Sequence, residues 1–272
     1  MTSKKVKFAF FGTPIVASQT LDILKENGYI PSLIITSADK PRGRKMKITP
    51  SPVKEWAIKN DIPFIQPEDI DEKIITNEQF DLFVVVAYGR ILSETILKFP
   101  KYGSINIHYS LLPRWRGASP VETAILFGDK KTGVTIQQME YKMDSGNIIA
   151  KSEIKIEDDE TAPKLRERLI KIGANLLVET LPKIVEKKIS PIKQDETNTT
   201  FCKKIKKTDG LINLEDNPTI NYNKYRAYKE WPRTFFFRNG KRIIITQAKL
   251  IDNKFIIEKI IPENGKEMIY IN

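Results

Sequence analysis

The stretch FDLFVVVAYG, residues 80–89, is apolar on both of the alternating faces a strand presents, so a strand here needs cover on each side. A parallel sheet with helices on both faces meets that requirement, and a half-exposed antiparallel sheet does not. The neighbouring segments supply the helices. KVKFAFFG reads as a strand, PIVASQTLDILKENG has helical apolar spacing with a proline near its start, and YIPSLIIT reads as the next strand. SPVKEWAIKN follows as a short helix and IPFIQ as a strand. Beyond the doubly apolar stretch come the strand KYGSINIHYSLL, the helix PVETAILFG and the strand TGVTIQQM. TAPKLRERLIKIGANLLVETLPKIVEKK then forms a long amphipathic helix ending in basic residues, which suits the helix dipole. This alternation predicts an α/β domain with a doubly wound, mostly parallel sheet over residues 1–188.

From ISPIKQDETNTT onward the texture changes. Residues 189–202 read as a polar linker, and 203–272 as a small β-barrel built from TFFFRNGKRIIITQAKL and KFIIEKIIP, with Asn239-Gly240 as a hairpin turn. No internal repeat or low-complexity segment interrupts either part.

Composition excludes several functions. The longest apolar runs are of strand length, short of the roughly 20 residues a membrane span needs, so no membrane association is expected. MTSKKVKFAFFGTP passes almost directly into a strand with no apolar leader region, which predicts a cytoplasmic protein. Cys202 and His108 are the single cysteine and histidine of the 272 residues. No internal disulfide can form, and the usual zinc ligand sets cannot be assembled, so no metal is expected. The formal charge of +11 with a pI near 9.4 has two readings. One is a polyanionic partner bound with counterion release; the other is a surplus of solvated lysines with no partner at all.

The lone imidazole stands in INIHYSLLPRWRGASP, residues 105–120. Strand alternation sends Ile105 and Ile107 into the core and points Asn106 and His108 together to the other face, near the carboxyl end of a parallel strand, where open α/β sheets place ligands. A carboxamide can hold a developing oxyanion, and an ordinary imidazole titrates at about pH 6.5, within reach of proton exchange at neutrality. The pair suits acyl transfer to an amine, which attacks by itself and needs no serine or cysteine nucleophile. Asp144, in the turn KMDSGN, is the candidate carboxylate that orients or charges His108. On the residues alone a second reading stays open: Asn106 and His108 form a satisfied pair at a strand end, and Asp144 serves its own turn.

Asn106, His108, SLLP at Ser110–Pro113 and the Asp144 turn together resemble the folate-dependent formyltransferases. SLLPRWRGASP, FFGTP, DKPRGRKMKITPSPVK, KIKKTDGLI and YRAYKEWP are most similar to the methionyl-tRNA formyltransferases within that group, along nearly the whole chain. The resemblance implies a Rossmann-like formyltransferase fold followed by a shortened OB-like barrel. It also implies transfer of a formyl group from 10-formyltetrahydrofolate to the α-amino group of methionyl initiator tRNA. It makes Asn106, His108 and Asp144 the catalytic trio, the first two holding the oxyanion and Asp144 helping to remove the amine proton. Folate contact falls to Ser110, Leu111, Leu112 and Pro113, with Tyr88, Gly89 and Arg90 as further neighbours. The basic loop DKPRGRKMKITP is implied to meet tRNA, with Arg44 at the position of the family's arginine, and the aromatic and basic TFFFRNGKR to help hold it. Arg42 and Lys45 depart from the family, standing where small residues are more usual, and add cations, so Arg42, Arg44, Lys45 and Lys47 are the candidate tRNA contacts. Trp115 and Arg116 have two readings, substrate contact or shaping of their own turn, of which the second is favoured. The protein is expected to act as a monomer. A nucleotide-linked amino sugar as acceptor is the alternative within the same chemistry, and a noncatalytic RNA-binding protein is the alternative outside it.

Overall fold

The structure is a computed structural model that describes residues 6–42, 46–68 and 79–271. In chain order, β1 (Phe8–Gly12), α1 (Ile15–Glu26), β2 (Leu33–Ile35), β3 (Lys40–Arg42), β4 (Lys47–Thr49), α2 (Pro52–Lys59) and β5 (Phe64–Ile65) come first. They are followed by β6 (Leu82–Val86), α3 (Glu94–Lys98), β7 (Ser104–His108), β8 (Arg116–Gly117), α4 (Pro120–Leu126), β9 (Lys131–Gln138), β10 (Ile148–Lys155) and α5 (Ala162–Val185). The remainder is β11 (Phe201–Cys202), α6 (Pro218–Ala227), β12 (Phe235–Arg238), β13 (Lys241–Ile251), β14 (Lys254–Pro262) and β15 (Met268–Ile269), with short 3-10 turns between.

A seven-stranded sheet runs in the order β10-β9-β7-β6-β1-β2-β5. Every residue of β1 and of β6 is buried, as doubly apolar strands require. Pairing is parallel from β5 through β2, β1 and β6 to β7, and β9 then runs antiparallel to β7. The chain winds outward from β1 to β2 and β5, then resumes on the other side with β6 and β7. The sheet is therefore doubly wound, and its order reverses between β1 and β6. On one face Phe11, Phe83, Val85, Leu92 and Leu97 form an apolar cluster, with the Phe11 and Phe83 ring centroids 5.0 Å apart. Each such side chain contributes about 1.5–3 kcal/mol of burial.

Local signals explain the flanking helices. Ser51 caps α2 by accepting from Lys54 N at 3.0 Å, and Ser93 caps α3 through Ile96 N at 3.3 Å. Along α5, Leu165, Leu169, Leu177 and Leu181 are all fully buried, at the spacing of one helical face.

The chain divides into two compact units, Met1–Pro113 with Gly133–Ser152 and Leu169–Thr199, and Arg114–Thr132 with Glu153–Arg168 and Thr200–Asn272. The second unit carries an antiparallel sheet in the order β12-β13-β14-β15, whose apolar face joins Phe236, Ile243, Ile245 and Ile260 to Tyr225 of α6. The β12–β13 turn is Asn239-Gly240 with φ of 52° and 73°, the left-handed pair a two-residue hairpin needs. Helix α6 is not among the elements expected from sequence. Its inward residues include Asn221, Asn223 and Arg226, so no apolar periodicity announces it. The buried amides are satisfied locally: Asn221 donates to Asn213 O at 2.8 Å, and Arg226 donates to Asn223 Oδ1 at 2.6 Å. Among the described residues no helix is long and apolar enough to cross a membrane.

Candidate active site

Strand β7 carries Asn106 and His108 toward the same face, because residues two apart share a face. In register, Asn106 lies opposite Gln137 and His108 opposite Thr135 on β9. Four polar side chains from two neighbouring strands thus meet on one surface at the carboxyl end of β7. Ile105 and Ile107 are buried on the other face, as the alternation requires.

Asp144 comes to this surface from the turn after β9. It holds φ of 51°, a left-handed conformation that aspartate tolerates better than most residues. Its Oδ1 lies 3.6 Å from His108 Nδ1, within ion-pair reach but longer than a hydrogen bond. The same oxygen accepts from Gln137 Nε2 at 2.8 Å. Gln194, nearly fully buried, donates to the Asp144 and Gly146 carbonyls at 2.8 Å each. Gly146 is required for this closeness, since a Cβ there would run into the Gln138 carbonyl oxygen.

Asn106 Nδ2 donates to Val85 O at 3.0 Å. One amide hydrogen is therefore spent on anchoring the side chain, and the second is the one available to an oxyanion. Asn106 and Asp144 line one cleft, together with Arg90, Leu92, Leu97 and Met139 among others. The cleft has an apolar wall and polar groups on its floor, the usual make-up of a small-molecule site. His108, only 6% exposed, is not among the residues lining this cleft, and its Nδ1 lies 3.6 Å from Oδ1 of Asp144, which is.

The residues expected to meet folate are placed unevenly. Arg90 lines the cleft and donates through Nη1 to Pro67 O at 2.5 Å. Tyr88 is buried, with its ring edge-on to Phe11 and its carbonyl accepting from Thr13 Oγ1 at 3.2 Å; the adjacent Gly89 has φ of 78°. Ser110 and Leu112 are fully buried, so only Leu111, Pro113 or the backbone of this loop is left to touch a ligand. The loop is pinned by residues that sequence reasoning missed. Thr135 Oγ1 donates to Ser110 O at 2.7 Å and accepts from Leu112 N at 3.1 Å, while Lys151 Nζ donates to Leu112 O at 2.6 Å. Partial burial lowers the Lys151 pKa from its ordinary value. The signal for Thr135 and Gln137 was present in the alternation of TGVTIQQM, once that strand is known to run antiparallel to INIH.

Of the residues expected to meet tRNA, Arg44 and Lys45 lie outside the described residues. Arg42 ends β3 and Lys47 begins β4, a two-stranded hairpin in which Lys47 is exposed. The hairpin's base is clamped by Asp39, whose Oδ2 meets Lys54 Nζ at 2.7 Å and whose Oδ1 accepts from Gln66 at 2.8 Å. Lys54 and then Gln66 hold the Asp39 carboxyl below the usual carboxylate range. Trp115 and Arg116 are both buried, and Trp115 Nε1 donates to Asp129 at 2.7 Å. No group of three or more potential metal ligands occurs among the described residues.

Comparison with known proteins bears on this geometry. The formyl transferase family profile matches residues 4–181, and that of its C-terminal domain matches 204–271. A methionyl-tRNA formyltransferase of Bacillus licheniformis is 40% identical over 247 residues, 89% of this chain and 78% of the relative. That of Methylococcus capsulatus is 38% identical over 252 residues, covering 91% and 82%. Among solved structures, the Clostridium thermocellum methionyl-tRNA formyltransferase superposes with a TM-score of 0.64 at 16% identity, over 98% of this chain and all of that one. A Helicobacter canadensis N-formyltransferase in complex with folinic acid and dTDP-3-aminofucose gives 0.68 at 19% identity, over 96% of each chain. The structural likenesses establish the shared fold, and the sequence matches over both parts go further: this chain belongs to the formyl transferase family.

Proposed function

We propose that the protein transfers a formyl group from 10-formyltetrahydrofolate to the α-amino group of methionine esterified to initiator tRNA, acting as a monomer in the cytoplasm. The observation that carries this reading is about 40% identity, along nine-tenths of the chain, to relatives named for that reaction. The cleft fits the donor's chemistry, since Leu92, Leu97 and Met139 offer apolar cover for a flat heterocycle beside the polar Asn106 and Asp144. Bound there, the folate supplies the formyl carbon and the amine that leaves.

The chain's own residues supply charge and proton handling. When an amine attacks the formyl carbon, the carbonyl oxygen gains negative charge. The Asn106 hydrogen not used on Val85 O is suited to meet it, and the His108 imidazole, two residues along the same strand face, is the second group suited to it. Asp144, 3.6 Å from the imidazole, takes a proton from the attacking nitrogen or supports His108 while the leaving amine is protonated. An α-amino group titrates at about 7.7–8.0, against about 10.4 for a lysine side chain, so this acceptor is partly neutral at physiological pH. A weak base suffices for it.

A nucleotide-linked amino sugar remains a second reading, favoured by the likeness in fold to the Helicobacter canadensis enzyme. A competition assay separates the two. Purified protein with 10-formyltetrahydrofolate and both acceptors is expected to formylate methionyl-tRNA preferentially; preference for the sugar replaces the first reading with the second.

A further inference from the structure

We infer that Gln137 is a positioning residue for the transfer step, acting through the Asp144 carboxylate; the inference rests on the reading of the cleft as a formyl-transfer site. Three observations converge on it. The β7–β9 register sets Gln137 directly opposite Asn106, so its side chain enters the cleft floor between the carboxamide and the Asp144 turn. Its amide donates to Asp144 Oδ1 at 2.8 Å, the same oxygen that faces His108 at 3.6 Å. Gln137 is itself nearly fully buried, and its Oε1 faces Gln194 Nε2 at 3.5 Å.

The direction of each bond follows from chemistry. An ionised carboxylate only accepts, so Gln137 must present its NH₂ to Asp144 and its carbonyl away from it. Gln194, whose NH₂ is held by the carbonyls of Asp144 and Gly146, faces that carbonyl. The turn backbone and the Asp144 side chain are thus held by two glutamines in series. Asp144 occupies a left-handed turn position, with its Oδ1 3.6 Å from His108 Nδ1. The neutral Gln137 donor at 2.8 Å orients that oxygen and leaves the carboxylate's charge in place.

A double-mutant cycle on the full chain tests this. Rates for wild type, Gln137→Met, Asp144→Asn and the double variant are measured with saturating methionyl-tRNA, and KM is measured for 10-formyltetrahydrofolate. Gln137→Met is expected to lower kcat about tenfold, the effect of losing one hydrogen bond to a charged group, with KM changed less than about twofold. In the Asp144→Asn background the same change is expected to cost less than about twofold, because the group it acts through is gone. A wild-type kcat in Gln137→Met, or losses that multiply across the cycle, overturns the inference. If Gln137→Met does not fold, Gln137→Leu also removes the donor without adding a charge, and its kcat must fall about tenfold; wild-type turnover there also overturns it. A wild-type protein that forms no formyl-methionyl product refutes the proposed function instead, so the two failures are distinguishable.

Discussion

At the scale of single residues, one hydroxyl and one carboxylate have separable jobs. Asp144 faces His108 and the cleft, so Asp144→Asn should retain the fold while losing most turnover, on the order of a hundredfold or more. Thermal unfolding with steady-state kcat checks this, and unchanged kcat removes Asp144 from the chemistry. Thr135 touches no described ligand position yet holds both ends of the Ser110–Leu112 turn. Thr135→Val keeps the shape and removes both hydrogen bonds from this buried turn, which costs about 1–3 kcal/mol. The expected signature is a raised KM for 10-formyltetrahydrofolate with kcat little changed, together with a lower unfolding midpoint. Asn106 and His108 were legible in the sequence because strand alternation alone puts them on one face. Asp144 was legible only as a candidate, since the closeness of a turn 36 residues away to His108 depends on β9 returning antiparallel to β7. Gln137 became legible only once β9 was known to pair antiparallel with β7, and Gln194 carried no signal, because a buried glutamine looks like a surface glutamine until its partners are known.

Elements show where the reading succeeded and where physics hid the signal. The doubly apolar β6 announces a central parallel strand, and Asn239-Gly240 announces a hairpin, each through a local requirement with few other solutions. Gly240→Ala places a Cβ at φ of 73° and should destabilise the second unit by about 1 kcal/mol, read by denaturant unfolding. Helix α6 escaped notice because its inner face mixes Asn221, Asn223 and Arg226 with the apolar Tyr225 and Ala227, and the β3–β4 hairpin because charged residues dominate its sequence. That hairpin also carries a pH dependence. The Asp39 pKa is depressed by Lys54 and Gln66, so the clamp's contribution is present above the ordinary carboxylate value of about 3.9 and is lost as pH falls through the lowered one. Amide exchange of Lys47–Thr49 should quicken in that acidic window in the wild type, and Asp39→Asn should be fast at every pH; identical protection in both discards the clamp.

For the whole molecule, the surplus of positive charge becomes a testable property once tRNA is the proposed acceptor. If cations meet phosphates, tRNA affinity should fall steeply with salt while folate affinity changes little, because each neutralised phosphate releases counterions. A flat salt response assigns the charge to solvated lysines. The account as a whole depends on an imidazole and a carboxylate gathered beside Asn106 at one carbonyl, and the lone histidine makes that testable at a single position. The most direct measurement is the single-turnover rate of formyl-methionyl-tRNA formation by the purified chain and by its His108→Ala variant, both shown to be folded. The account predicts product from the wild type and a rate lower by roughly a hundredfold or more in the variant; no product from folded wild type, or equal rates in the two proteins, contradicts it.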